Sequence, residues 1–403
     1  MFSEIALLSA FGVFAGIITG LIPGLHVNNI AAAVLLMLPF LSQQFSLYAI
    51  SCFIVSMAIT HTIFDFIPST LLGIPEDDTC LSTLPAHKMV LQGKAFEAIY
   101  LTAVGGLIST LMVVFSLPLL IFLMPNLYLT LKPFIPYILL FVLGFILLTE
   151  RNKIAAVIAS ALSGTLGIVC LNMLPLPAQN LFPAIFSGLF GMPTLILGLK
   201  SKKIPKQGFH ANTDLLLAVK GSFKAVAAGI LMGMLPGLGS AQASLMVDAV
   251  TKRKDEKEIL IALGGVNTVV AIISIISLYT INRARSGAAI AISYIISDIT
   301  IDFLILTMCV AIFSVSFACF LLLHFCRSFI VLLSKIPYQK LIAAILVLIT
   351  LLVFITSKFV GLFVLATSTS IGLYTILSGV RRSVCMNVLI LPLLLFYFGI
   401  FKP

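Results

Sequence analysis

The sequence predicts an all-α, polytopic membrane protein, and three observations predict it. Of 403 residues, 61% are hydrophobic and only 9% charged, against about 25% charged in an ordinary soluble domain. The mean hydropathy is +1.20. Apolar runs of bilayer-spanning length, roughly 17 to 25 residues, recur from one end of the chain to the other. No soluble fold has enough interior to hide so much apolar surface. The alternation at about 10-residue spacing that marks a transmembrane β-barrel is not visible.

Taken in order, the runs predict spans near 5–22, 46–64, 96–124, 134–149, 154–174, 181–199, 215–235, 259–281, 299–323, 340–357, 359–379 and 384–401. Shorter apolar pieces lie at 24–42, 66–75, 237–250 and 286–297. The first run carries Glu4 and lacks the basic flank of a secretory signal, so it is expected to be retained. The polar stretch 200–214 is the longest loop. It divides an N-terminal transmembrane half, 1–199, from a C-terminal half, 215–403, as a cytoplasmic linker.

The formal charge of +10 sits in short loops: "LKSKKIPK" at 199–206, "KRKDEKE" at 252–258, Arg151 with Lys153, and Arg381 with Arg382. That is the pattern of cytoplasmic loops under the positive-inside rule, and nucleic acid is not an expected partner. Trp is absent, so interface anchoring falls to tyrosines such as Tyr100, Tyr128, Tyr137 and Tyr279. The seven cysteines form no CxxC pair and mostly lie in apolar runs, which predicts packing residues and neither a metal site nor disulfides.

Two of the runs contain a helix breaker. Residues 16–34 read "GIITGLIPGLHVNNIAAAV" and residues 229–247 read "GILMGMLPGLGSAQASLMV". At a constant offset of 213 they share Gly16/Gly229, Ile17/Ile230, Gly20/Gly233, Pro23/Pro236, Gly24/Gly237, Leu25/Leu238 and Val34/Val247. A proline inside a helix costs about 3 kcal/mol or more, and in lipid the freed carbonyls have no water to turn to. Two Gly-rich packing helices would share small residues, but the full GxxxGxxPGL string points to an internal repeat. The loops flanking 215–250 are both basic. The piece after Pro236 has only ~14 residues, about 21 Å of helix, so a re-entrant hairpin or a helix broken at mid-depth is expected there.

A helix that starts just after such a break presents unpaired N–H groups and about half a positive charge, a ready anion site. Pro23, Gly24, Leu25, Asn28 and Asn29 in the first copy, and Pro236, Gly237, Leu238, Gly239, Ser240 and Gln242 in the second, are the candidate substrate ligands. The same polar side chains also serve as helix caps. His26 stands where the second copy has Gly239, and a lone His near a helix start is more often a cap than a proton carrier. Ionisable groups inside apolar runs read as functional. Asp298 with Asp302, four apart and expected on one helix face, and His61 with Asp65, similarly spaced, are candidates for handling a coupling cation, Na+ or H+. Asp248 precedes a charged loop and reads as interfacial. Arg283 and Arg285 in "NRARSG" fit either interfacial charges or partners for an anionic group.

These residues resemble the large membrane subunit of tripartite tricarboxylate transporters, in particular its shorter archaeal-type relatives. The shared pattern is a Gly-rich helix, Pro-Gly-Leu, an Ala-rich helix and a closing proline, here "GIITGLIPGLHVNNIAAAVLLMLP". It continues through "LLGIPEDDTCLSTLPAHKMVLQGKAFEA" at 71–98, "GILMGMLPGLGSAQAS" and "IALGGVNTVVAI". The chain departs from the family where a second-half Gly-Ile-Pro-Gly turn is replaced by "YTINRARSGAA", and where Pro85-Ala86 replaces Asp-Gly. The resemblance implies secondary transport of an anionic organic acid of the di- or tricarboxylate class. It also implies, for some members, an extracytoplasmic binding protein and a small membrane subunit as partners.

The expected function is therefore ion-gradient-driven transport of a small anionic solute in the cell membrane, with the site at the paired breaks and no cofactor. No GxxxxGK[ST] nucleotide loop is present to drive it otherwise. The alternative is a translocase for a phosphate-bearing lipid carrier, whose headgroup would suit the same helix N-termini. An enzyme is not expected, since neither HExxH nor GxSxG occurs.

Overall fold

The computed structural model describes residues 2–22, 27–71, 83–199, 205–234, 256–334 and 338–400, with residues 240, 243, 244, 246, 247 and 251 besides. Regular structure among these is all helical. In chain order it comprises α1 (Phe2–Leu21), α2 (Val27–Leu36), α3 (Leu47–Phe64), α4 (Phe66–Leu71), α5 (Thr83–Leu91) and α6 (Ala95–Phe115). Then follow α7 (Leu117–Leu131), α8 (Ile135–Leu148), α9 (Lys153–Ile168), α10 (Ala178–Phe186), α11 (Met192–Gly198) and α12 (Leu215–Met234). The last are α13 (Glu256–Thr280), α14 (Gly287–Ile295), α15 (Ile301–Ser334), α16 (Tyr338–Leu377) and α17 (Asn387–Tyr397). Among the described residues nine helices, counted with their collinear extensions, are long and apolar enough to cross a membrane. The fold is that of a multi-pass membrane protein.

Small residues set how these helices meet, as expected where lipid supplies no hydrophobic drive between them. Along α1, Gly12, Gly16 and Gly20 lie against Phe53 and Ser56, then Met57 and Thr60, then His61 and Phe64 of α3. The numbers rise together, so α1 and α3 run parallel. A Cβ on Gly16 would stand 2.6 Å from the Cβ of Thr60, which leaves no room for a side chain. Along α12, Gly221, Gly229 and Gly233 meet Glu258 and Ile261, then Val269 and Val270, then Ile273 of α13. That pair is parallel too.

Parallel neighbours require the intervening chain to come back. Ser46 donates its N–H to the Glu4 carboxylate at 3.1 Å, so residues 22–46 return to the end where α1 began. In the second case Lys224, midway along α12, donates to the Thr251 hydroxyl at 3.2 Å, placing residue 251 back alongside that helix. Ser46 thus lies back beside the start of α1, and Glu258 beside Gly221 near the start of α12. The Pro23-Gly24 and Pro236-Gly237 positions lie outside the described residues.

α1 and α12 begin at opposite ends. Tyr48 packs on Phe303 and Ser314 bonds Ser56, so α15 runs parallel to α3. Cys319 reaches the Ala103 carbonyl and Arg327 covers Phe96, so α15 runs antiparallel to α6. Lys257 pairs with Glu97 at 2.5 Å and Lys88 pairs with Glu256, which ties the starts of α6 and α13 to one end. That end also carries Lys220 and Lys224 on Glu258. It is the basic end, which the positive-inside rule assigns to the cytoplasm. Glu4, Ser46 and Phe303 mark the outer end.

Two large cores result, with a small third between α5, α6, α12 and α13. Of the large ones, the first joins α1–α4, α6, α7 and α13–α15, and the second joins α8–α11, α16 and α17 and reaches α12 through Ala225, Ala228 and Met232 and α13 through Ala262 and Val266. Each core draws on residues from both sides of the 200–214 stretch. α16 supplies two passes, because Lys358 (φ 53, ψ −145) reverses the chain in its middle. Gln339 accordingly reaches Leu199 and Ser357 reaches Asn180, while Gly372 returns to Leu189 and Pro193. The separation of 340–357 from 359–379 expected above falls at this reversal.

Candidate functional site

Where α1 ends, α3 turns into α4 and α13 passes mid-length, polar side chains converge inside the first core. Asp65, at the junction of α3 and α4, is 1% exposed. Its Oδ2 accepts from Asn267 Nδ2 of α13 at 2.7 Å. Asn267 Oδ1 in turn accepts from the Ser240 hydroxyl at 3.2 Å. One turn before Asp65, His61 Nδ1 lies 3.1 Å from Thr19 Oγ1, while that hydroxyl donates to the Gly16 carbonyl. Thr19 is then the acceptor, so the proton sits on His61 Nδ1. Beside these, Thr62 and Thr268 share a hydroxyl hydrogen bond at 3.0 Å.

Local sequence explains the convergence. Gly20 lets α1 press its backbone against His61, Phe64 and Asp65. Gly264 and Gly265 do the same for α13 against Thr102 and Ser109 of α6, with Gly106 beside Thr268. His61, Asp65 and Ser69 follow at four-residue intervals along one face of the α3–α4 run, and Ser69 is buried as well. A buried carboxylate is tolerated only with partners, and Asn267 is one. The cluster offers carboxylate, amide and hydroxyl oxygens, which suit a hard monovalent cation or a proton, together with O–H and N–H donors, which suit an oxyanion. Gly20 precedes Pro23 by three residues and Ser240 follows Pro236 by four.

Residues 6–387 match the model of the tripartite tricarboxylate transporter TctA family. The chain belongs to that family. TctA-family proteins are membrane transporters and not enzymes, and the name describes the large subunit of a three-part system. The chain is also 34% identical, over 96% of its length and 97% of the relative's, to an uncharacterized protein of Methanocaldococcus jannaschii. No solved structure matches it.

In this TctA-family chain the sequence-derived candidates fall in three groups. His61, Asp65 and Ser240 come together in the buried cluster. Pro23, Gly24, Leu25, His26, Pro236, Gly237, Leu238, Gly239, Gln242 and Asp248 lie outside the described residues, as do the side chains of Asn28 and Asn29 in α2. Asp298 and Asp302 are exposed at the outer end. The expectation that they share a helix face is corrected: α15 begins at Ile301, because Thr300 accepts the Phe303 N–H as its cap and leaves Asp298 in the preceding bend. Asn267, Thr268, Thr62 and Thr19 were not singled out by sequence. The one signal that could have marked Asn267 is an amide inside the apolar run "GGVNTVVAI".

Proposed function

We propose that this TctA-family transporter carries an anionic organic acid of the di- or tricarboxylate class, driven by a gradient of H+ or Na+. The solute binds between the two Pro-Gly-Leu breaks, with carboxylate oxygens taken by the N–H groups that follow Gly24 and Gly237 and by Asn28, Asn29, Ser240 and Gln242. The coupling cation is handled beside it by Asp65, with His61 one turn away. The single observation that carries the reading is the chain Ser240–Asn267–Asp65, since it joins the stretch after one break to the helix packed against the other.

The directions of the helices support it further. Paired broken segments in the two halves of a transporter point to its substrate site, and here the helices that lead into them, α1 and α12, begin at opposite ends. The 213-residue offset extends to their partners: Gly16 meets Met57, and Gly229 meets Val270, 213 residues on. We take the halves as an inverted repeat. Two cores that meet along α12 and α13 supply bodies that can shift against each other to expose the site alternately. An extracytoplasmic binding protein would deliver the solute to the outer end, with a small membrane subunit alongside.

The test is uptake by proteoliposomes of the purified chain, using labelled di- and tricarboxylates under imposed Na+ or H+ gradients, with and without Gly24→Val and Gly237→Val. Gradient-dependent uptake of one acid class, lost in both variants while they stay folded, is expected. Wild-type uptake in both variants would remove the breaks from the site.

A further inference from the structure

A second polar cluster lies at the outer end, in the turn from α13 to α14. The Arg285 guanidinium carbon stands 5.2 Å from the centre of the Tyr128 ring of α7. Tyr128 packs on the first core and Tyr397 of α17 on the second. The Tyr397 hydroxyl is within electrostatic reach of both Tyr128 and Arg285. Arg285 therefore occupies the seam between the two cores.

Its hydrogen bonding is incomplete in a specific way. Nε and Nη2 are both shut off from solvent and have no hydrogen-bond partner among the described residues. These two nitrogens form a single edge of the guanidinium, the edge that grips a carboxylate or phosphate through two parallel N–H···O bonds. A cationic edge withdrawn from water and left unpaired is unfavourable, and the contact with Tyr128 offsets only part of that. The adjacent Ser286 is already committed, capping α14 through the Ala289 N–H at 3.2 Å and bonding Ser274 at 2.9 Å. That second bond fixes the turn onto α13. Ser274 is seven residues beyond Asn267 and so about 10 Å further out on the same helix face.

We propose that Arg285, stacked over Tyr128, is an oxyanion-binding site at the outer mouth of the seam, taking one carboxylate or phosphate group in a two-pronged grip. The site is separate from the Asp65 cluster and does not rest on the transport reading, since it binds at equilibrium without a gradient. The planar edge makes the grip specific to arginine, because a lysine ammonium offers a point charge in place of the fork. Its anion comes either from solution or from the headgroup of an outer-leaflet lipid.

The experiment measures thermal unfolding of the purified full chain in neutral detergent, titrated with citrate or inorganic phosphate against chloride at matched ionic strength. Stabilisation that grows with ligand concentration is expected. In Arg285→Gln the dissociation constant should weaken at least tenfold, and Arg285→Lys, which keeps charge and length should the first variant fold poorly, should fall between. A parallel arm compares nanodiscs of phosphatidylcholine with nanodiscs containing phosphatidylglycerol. Arg285-dependent stabilisation by citrate or phosphate identifies a soluble anion, and the same effect from phosphatidylglycerol alone identifies a headgroup. If citrate, phosphate and phosphatidylglycerol each stabilise both variants as they do wild type, or stabilise none of them, Arg285 holds no oxyanion and the proposal fails.

Discussion

Asp65 owes its place to residues far away in sequence. Asn267 holds it from 202 positions on, and Gly20 lets α1 close over it. If it carries the coupling charge, Asp65→Asn keeps the shape and the carbonyl acceptor while removing the ionisation. Gradient-driven uptake should then fall at least a hundredfold while substrate exchange across the bilayer persists. Equal loss of both would point to a substrate or folding role. Asp65 and His61 were legible in the sequence because charge within an apolar run is conspicuous. Asn267 was not, because a neutral amide acquires its meaning only when α13 lies against α3. The shared helix face expected of Asp298 and Asp302 failed because four-residue spacing alone imitates one, whereas the Thr300 cap starts α15 only after Asp298.

At the basic end, His87 of α5 is partly buried, with Nδ1 3.1 Å from the Thr70 carbonyl. Burial holds its pKa below the ordinary 6.5, the Arg382 charge adds to this, and the bond to Thr70 opposes it. The unfolded chain therefore binds the proton more readily than the folded one. Stability should be unaffected well above pH 6.5 and should decline as pH falls through and below that value, by at most about 1.4 kcal/mol per pH unit. His87→Gln, which keeps a donor for Thr70, should flatten the acid side of the melting-temperature profile. An unchanged profile would remove His87 as the cause.

Among the elements, the close pairing of α6 with α13 depends on backbone contact. A Cβ on Gly264 would run into the Thr102 backbone, whereas one on Gly144 of α8 meets nothing within 4 Å. Overpacking a well-fitted interior costs about 1–3 kcal/mol, and here there is main chain rather than a flexible side chain to displace. Gly264→Leu should lower the melting temperature steeply or abolish monodisperse protein, while Gly144→Ala should match wild type or gain up to about 1 kcal/mol from helix propensity. Equal tolerance at both sites, measured by size-exclusion profile and thermal unfolding, would contradict the packing described. The small-residue spacing was readable in the sequence as a packing surface, but its partner helix was not, because glycine stripes carry no address. The reversal at Lys358 is the opposite case. A lysine between two apolar runs marks a turn plainly, although its left-handed φ is favoured only for Gly.

For the whole molecule the decisive feature is that α1 and α12, the helices that lead into the two Pro-Gly-Leu strings, begin at opposite ends. The paired Pro-Gly-Leu strings made the pairing visible in the sequence, but not its orientation. Orientation follows from which helices pack in parallel, and that depends on tertiary contact. The proposal predicts an asymmetry that a parallel arrangement would not produce. On a background with all seven cysteines replaced, Asn28→Cys and Gln242→Cys place one thiol just after each break. In proteoliposomes of fixed orientation, a membrane-impermeant thiol reagent should label Asn28→Cys chiefly from the outer side and Gln242→Cys chiefly from the basic side. A transported dicarboxylate or tricarboxylate should slow both reactions, because each thiol flanks the same bound solute. Protection of both from opposite sides requires one central site reached alternately from each break. If both thiols react from one side only, the breaks share an entrance and the inverted arrangement is wrong. If both react from opposite sides but no solute protects either, the arrangement stands and the breaks lie away from the substrate.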